Sequence, residues 1–149
     1  MTYLVTGGAG FVGSHVAEQL LQRGETVVVI DNFNDYYDPA IKRRNVDRLS
    51  QYDKFTLIED DIRNVDRVNR MFAEHEITHV AHLAAMAGVR MSVNQTPLYM
   101  DVNLIGTMNL LEAGKAHQIK QFVLASTSSV YGATTILPFV ETDTADRPL

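Results

Sequence analysis

Glycines 7, 8, 10 and 13 and the acid Asp31 are the residues whose types and spacing first suggest chemistry. The glycines follow a short apolar run, 3–5, and precede an amphipathic pattern, Val16, Ala17, Leu20 and Leu21. Strand, glycine turn and helix in that order form the opening of a βαβ unit that seats the phosphates of a dinucleotide. Gly7 suits the tight turn off the strand, Gly10 lets backbone approach a pyrophosphate, and Gly13 lets the helix pack closely on the strand. Free N–H groups at the helix start and the helix dipole would face the anion. A second apolar run, 26–30, ends in Asp31, at the separation of about twenty residues expected of a ribose-binding acid. Asp31 would accept from a ribose diol and repel a 2′-phosphate. Asn32 and Phe33 supply no cation beside it, so the cofactor expected is NAD rather than NADP.

These residues need a scaffold, and the rest of the chain supplies its pattern. A first helix over 13–23 closes on Gly24, a second begins at Pro39, and a third covers 65–75 with Val65, Val68, Met71 and Phe72 on one stripe. Further strands are expected at 55–58, 78–83 and 121–125, and a long helix at 97–117; the stretch from residue 133 reads as irregular. Strands alternating with helices imply an α/β fold, a doubly wound parallel Rossmann sheet with right-handed crossovers. Ligands in such sheets lie beyond the carboxyl ends of the strands. That rule gathers 7–13, 31–34, 61–62, 84–88 and 126–129 into one crevice.

At 149 residues the chain suits one domain, 1–149. Its net charge of −5, with Lys and Arg scattered, argues against nucleic acid or an anionic membrane as partner. The sequence has no cysteine, which removes disulfides, thiol nucleophiles and Cys-based metal sites. No metal site is expected. His79 and His82, three apart on a strand, point to opposite faces and cannot share a metal. His15 reads as a helix-surface residue. The cluster Lys42, Arg43, Arg44 and Arg48 reads as a solvated helix face. The chain opens directly into a strand, without a signal-peptide pattern, and no apolar run is of membrane-spanning length, so a cytoplasmic location is expected.

With its segments placed, the chain resembles the N-terminal part of an extended short-chain dehydrogenase/reductase, in the NAD-dependent epimerase/dehydratase family. Thr6-Gly7-Gly8-Ala9-Gly10-Phe11-Val12-Gly13, Asp31-Asn32, Asp61-Ile62-Arg63, His82-Leu83-Ala84-Ala85, Val102-Asn103-Leu104-Ile105-Gly106-Thr107 and Ser129-Val130-Tyr131-Gly132 match its motifs. The loop 31–38 and the run 87–92 carry a narrower likeness to UDP-sugar 4-epimerases, above all those acting on UDP-glucuronate.

The resemblance implies an NAD site that includes Gly7, Gly10, Phe11, Val12, Gly13, Asp31, Asn32, Asp61, Ile62, Leu83, Ala84, Ala85, Asn103 and Ala125. Asp61 would accept from the adenine amino group; the residues alone also allow an N-capping acid. Ala84 and Ala85 would line the cofactor where bulk would block it. Asn103 would lie mid-helix beneath the nicotinamide half and hold backbone near the fourth strand. Thr127 aligns with the catalytic Ser/Thr that bonds the sugar O4, although a strand-end hydroxyl can equally satisfy backbone. Ser128 and Ser129 would meet the substrate, and Arg90 either meets a sugar carboxylate or diphosphate or forms a structural ion pair.

In the family the general base is Tyr in Tyr-x-x-x-Lys, and none of the six tyrosines here has Lys four positions on. The expectation is therefore an incomplete domain, lacking its last strands and substrate domain, inactive alone and homodimeric at full length. The exposed apolar face of the helix 97–117 would drive self-association. The alternatives are a dehydratase or decarboxylase of the same family, or a non-catalytic NAD-binding module. Dehydratases carry Asp-Glu after the catalytic hydroxyl, where this chain has Ser128-Ser129.

Overall fold

The computed structural model of the chain describes residues 1–132 and 137–142. Most of the tail expected to be irregular lies outside the described residues. Five strands, β1 (Thr2–Thr6), β2 (Thr26–Asp31), β3 (Phe55–Glu59), β4 (His79–His82) and β5 (Gln121–Leu124), form one sheet in the order β3-β2-β1-β4-β5. Every neighbouring pair is parallel. The winding reverses between β1 and β4, which is where a doubly wound sheet opens a crevice.

The apolar runs form strands because helices cover both faces of the sheet. Along β1 and β2, Leu4, Val28 and Ile30 face one core with Val68, Phe72, Val80 and Leu110. Val5, Val27 and Val29 face the other with Ala17, Leu21 and Leu49. Each fully buried Val or Leu contributes about 1.5–3 kcal/mol, so the central strands are the best-anchored part of the chain.

Helix α1 (Phe11–Gln22) ends at Gly24, whose φ of +80° and N–H bond to the Leu21 carbonyl close the helix as its sequence implied. In α2 (Pro39–Leu49) Pro39 opens the first turn and Asp38 caps it, accepting from Ala40 N at 2.9 Å. In α3 (Val65–His75) the cap is Asn64, which accepts from Arg67 N at 3.2 Å. Asp61 is therefore not the cap.

Two elements depart from expectation. A short helix, α4 (Val89–Asn94), stands where the small-residue stretch after β4 gave no helix signal. The expected long helix is divided into α5 (Thr96–Met100), a π-helical turn (Asp101–Gly106) and α6 (Thr107–Ala116). The wide turn sets Gly106 flat against Ile62, where a Cβ would stand 2.6 Å from Ile62 Cδ1. It also frees the Asn103 side chain to reach Met86 in the loop after β4.

Candidate cofactor cleft

The turn after β1 is built from backbone packed on backbone. Gly7 has φ +65°, and its N–H donates to the Ile30 carbonyl at 2.8 Å. A Cβ on Gly13 would stand 2.2 Å from the Gly7 carbonyl oxygen, so no other residue lets α1 approach the turn so closely. Gly10 caps α1 without any side-chain bond, which leaves the first-turn amides to face outward. They border a cleft of about 280 Å³ lined by Gly7, Gly10, Phe11, Val12, Asp31, Asn32, Asp61, Ile62, Leu83, Ala84 and Ala85, among others. The cleft lies at the carboxyl ends of β1, β2, β3 and β4, as the sheet's topology requires.

Asp31, only 6% exposed, is the hub of its far wall. Its carboxylate accepts from Ala9 N at 3.2 Å and from Phe33 N at 2.9 Å. Lys42 Nζ lies 3.4 Å from Asp31 Oδ1 and donates to Asn34 Oδ1 at 2.9 Å. The solvated-face reading of the basic cluster is thus corrected for Lys42, which is 5% exposed and lines the cleft. A buried ammonium is stable here because a carboxylate and an amide oxygen meet it. Arg48, its side chain 42% exposed, pairs with Glu18 at 3.2 Å, while Arg43 pairs with Glu59 and covers the Phe33 ring at 3.7 Å. The cation that Asn32 and Phe33 do not supply therefore reaches Asp31 from α2.

Tyr37 also lines the cleft. Its hydroxyl oxygen is fully buried and has no hydrogen-bond partner among the described residues. Burial, with the Asp31 charge nearby, pushes this phenol above its ordinary range.

Asp61 stands past β3 with its oxygens engaged. Oδ1 accepts from Arg63 N and Nε, both at 2.9 Å; Oδ2 accepts from Arg63 Nη2 and Asn32 Nδ2, both at 2.8 Å. Burial alone would raise the carboxyl, but the Arg63 and Asn32 donors outweigh it and hold Asp61 at about 2. A ligand amine at this site must share or displace one of those donors.

The loop after β4 forms the floor of the cleft, and one network braces it. Leu83 N and Ala84 N donate to Thr6 Oγ1 at 3.1 and 3.0 Å. Thr6 Oγ1 meets His82 Nδ1 at 2.6 Å, and His82 Nε2 meets Thr107 Oγ1 at 2.8 Å. Thr107 donates to the Asn103 carbonyl at 2.7 Å. Its hydroxyl proton is thereby used, which assigns the imidazole proton to Nε2 and leaves Nδ1 to accept from Thr6. The buried ring is pushed down to about 4 and is neutral at pH 7. Asn103 completes the brace, accepting from Met86 N at 2.8 Å and donating to Met86 O at 2.9 Å. It holds backbone just past β4 and does not itself line the cleft. Thr6, His82 and Thr107 were not singled out by the sequence as a unit. Their only signal was that all three lie inside recognisable motifs.

The remaining expected residues lie elsewhere. Gly13 shapes the turn from behind. Ala125, at the end of β5, donates its N–H to the His82 carbonyl at 3.0 Å. Thr127 caps a 3₁₀ turn (Ser128–Tyr131) and accepts from Ser129 N at 3.3 Å, so its hydroxyl satisfies backbone while keeping its own proton. Neither it, Ser128 nor Ser129 lines the cleft. Arg90, on α4, is exposed and makes no ion pair among the described residues.

A family profile described as GDP-mannose 4,6 dehydratase matches residues 4–148. The chain belongs to this epimerase/dehydratase family. Among its relatives, UDP-glucuronate 4-epimerase 4 of Arabidopsis thaliana is 46% identical over 149 residues, covering 99% of this chain and 34% of the relative. A probable UDP-glucuronate 4-epimerase of Rhizobium meliloti is 43% identical, covering 100% of this chain and 44% of the relative. The UDP-glucuronic acid 4-epimerase of Bacillus cereus, solved with UDP-glucuronic acid and NAD, superposes with a TM-score of 0.87 at 37% identity, over 100% of this chain and 46% of that one. The chain thus spans less than half the length of these relatives. Of the epimerase/dehydratase motifs in the chain, the glycine turn and those containing Asp31, Asp61, His82 and Asn103 border or brace the cleft, whereas the segment 129–132 stands apart from it.

Proposed function

We propose that this chain is the cofactor-binding part of an NAD-dependent UDP-sugar 4-epimerase whose full-length form acts on UDP-glucuronate or a related UDP-hexose, as a homodimer in the cytoplasm. The observation that carries this reading is the cleft itself, bordered by a bare glycine turn and an acid at the end of the neighbouring strand. Its donor set fits a dinucleotide. The first-turn amides at Phe11 and Val12 suit phosphates, Asp31 suits a ribose diol, and the unpartnered Tyr37 hydroxyl awaits an acceptor. Likeness to the Bacillus cereus epimerase and to the Thermus thermophilus UDP-glucose 4-epimerase solved with NAD (TM-score 0.84, 40% identity) supports the choice of cofactor and reaction.

NAD, when bound, supplies reversible hydride transfer at the sugar C4. The chain's own residues bind and orient. Asp61 and Ile62 would flank the adenine, with Asn32 beside them, and Leu83, Ala84 and Ala85 would keep the floor low beneath the nicotinamide half. Asn103 would hold that floor through Met86, and Ala125 would close its far end. Thr127 still has a proton to donate to the sugar O4, and Ser128 and Ser129 would add polar contacts. Arg90 would meet the diphosphate or the carboxylate. Proton transfer would need the Tyr-x-x-x-Lys pair, which these 149 residues do not contain.

Calorimetry tests the reading. NAD should bind, with NADP weak or silent, because the Asp31 carboxylate repels a 2′-phosphate and the Lys42 ammonium beside it is already engaged by Asp31 and Asn34. Asp31→Asn should narrow the gap. Equal affinities in the parent chain would overturn the argument. The chain alone should not turn over UDP-glucuronate, and measurable turnover would show that the chemistry needs no further residues.

A further inference from the structure

We propose that the Tyr37 hydroxyl is a direct ligand of the cofactor, donating a hydrogen bond to a phosphate oxygen seated over Gly10. The inference deepens the dinucleotide reading of the cleft and rests on it.

Three observations meet at this atom. The oxygen is fully buried and lacks a partner among the described residues, an unfavourable state for a hydroxyl. It lies 3.6 Å from the position a Cβ on Gly10 would take, so it borders the bare surface of the glycine turn. The polar groups around it are already occupied. Asp31 is met by two amides and Lys42, Lys42 also by Asn34, and the Ala9 carbonyl by Asn45 Nδ2 at 2.9 Å. Among the described residues the Tyr37 hydroxyl is left on this wall without a partner.

The ring is also held in place. Lys42 Nζ stands 5.3 Å from its centroid, and the next residue, Asp38, is locked as the cap of α2. The chemistry then selects the ligand atom. With its pKa raised, the phenol stays protonated at neutral pH, and it shares the turn with the outward amides of α1. The Tyr37 phenol and the α1 amides border Gly10, and the Gly7 carbonyl on the same turn already accepts from Gly10 N at 3.0 Å, which leaves donors facing an oxygen that only accepts. A phosphate is such a group; the ribose hydroxyls, which also donate, are better served by Asp31.

The experiment titrates the 149-residue chain and its Tyr37→Phe variant with NAD, ADP-ribose and adenosine, following amide shifts by NMR. The variant should bind NAD and ADP-ribose about tenfold more weakly, the loss of one hydrogen bond to a charged acceptor. Adenosine affinity should be unchanged. The thermal midpoint without ligand should stay level or rise, because the change removes an unsatisfied buried hydroxyl. A merely structural role for Tyr37 would lower that midpoint and weaken all three ligands together. Equal NAD binding by both chains, or an equal loss with adenosine, overturns the proposal. If the parent chain binds neither NAD nor ADP-ribose, the dinucleotide reading itself fails and takes this proposal with it.

Discussion

The two sides of the sheet differ sharply in how they are supported. Around β1 and β2, Val27 to Ile30 are fully buried, and the polar groups at the strand ends are tied to Asp31, Lys42 and the glycine turn. At the other edge, β5 pairs only with β4 among the described residues, and Val123 and Leu124 are 53% and 56% exposed. Among the described residues, the segment that follows holds Thr127 by local backbone bonds. Met100, Leu104, Met108 and Leu111 form an exposed apolar stripe over α5 to α6, at spacings of three and four. The comparison teaches that the phosphate- and ribose-facing half of the cleft is self-supporting, while the half near Thr127 depends on whatever packs against β5 and this stripe. A parallel strand is stable when both faces are covered, and an edge strand with bare apolar faces is the first to open.

Hydrogen exchange should break or sharpen this contrast most strongly. Amides of β5 should exchange about a thousandfold faster than those of β1, since local opening at a bare edge costs little beside global unfolding. Equal protection would show that the two sides are equally stable. Gly13→Ala should come next. Its methyl would press on the Gly7 carbonyl, backbone against backbone, and should cost at least the roughly 3 kcal/mol upper range of overpacking, read as a lower urea midpoint.

His82, which bridges the two sides, gives a pH signature. Its folded value of about 4 lies below the ordinary 6.5, so the unfolded chain binds the extra proton. Stability should be full above about pH 6.5 and fall by roughly 3 kcal/mol as pH drops toward 4. His82→Gln should flatten that window while leaving the Asp61 contribution, which is lost only at lower pH, toward about 2. A slope unchanged in the variant would show that the ring does not carry the linkage. The smallest effect belongs to Arg43→Ala. The Arg43–Glu59 pair is about half exposed on both sides. Its loss should move the urea midpoint barely beyond error, and less still in high salt.

Much of the cleft was legible in the sequence. The glycine turn and Asp31 follow from spacing within short strand–loop–helix units, whereas the roles of Asp61 and the alanines at 84 and 85 came from the family resemblance; all of them line the cleft. The parallel sheet followed from the alternation of elements. What escaped was long-range. The charges on α2 form a pattern that any solvated helix shows, and only the rotation of that helix over the sheet sends Lys42 inward. Strand alternation put His82 and His79 on opposite faces but could not supply a partner 25 residues onward, Thr107. The π-helical turn depends on tertiary contacts of Asn103 and Gly106 that no local propensity encodes.

By itself, the sequence determined where the backbone is bare and where one acid follows it, since a missing Cβ and a fixed strand length act locally. Only the tertiary structure decided which polar groups share the interior: Lys42 with Asp31, His82 between Thr6 and Thr107, the Tyr37 hydroxyl beside Gly10. The physical reason is that a buried charge or hydroxyl is defined by its partners, and those partners come from distant elements whose packing no single segment specifies.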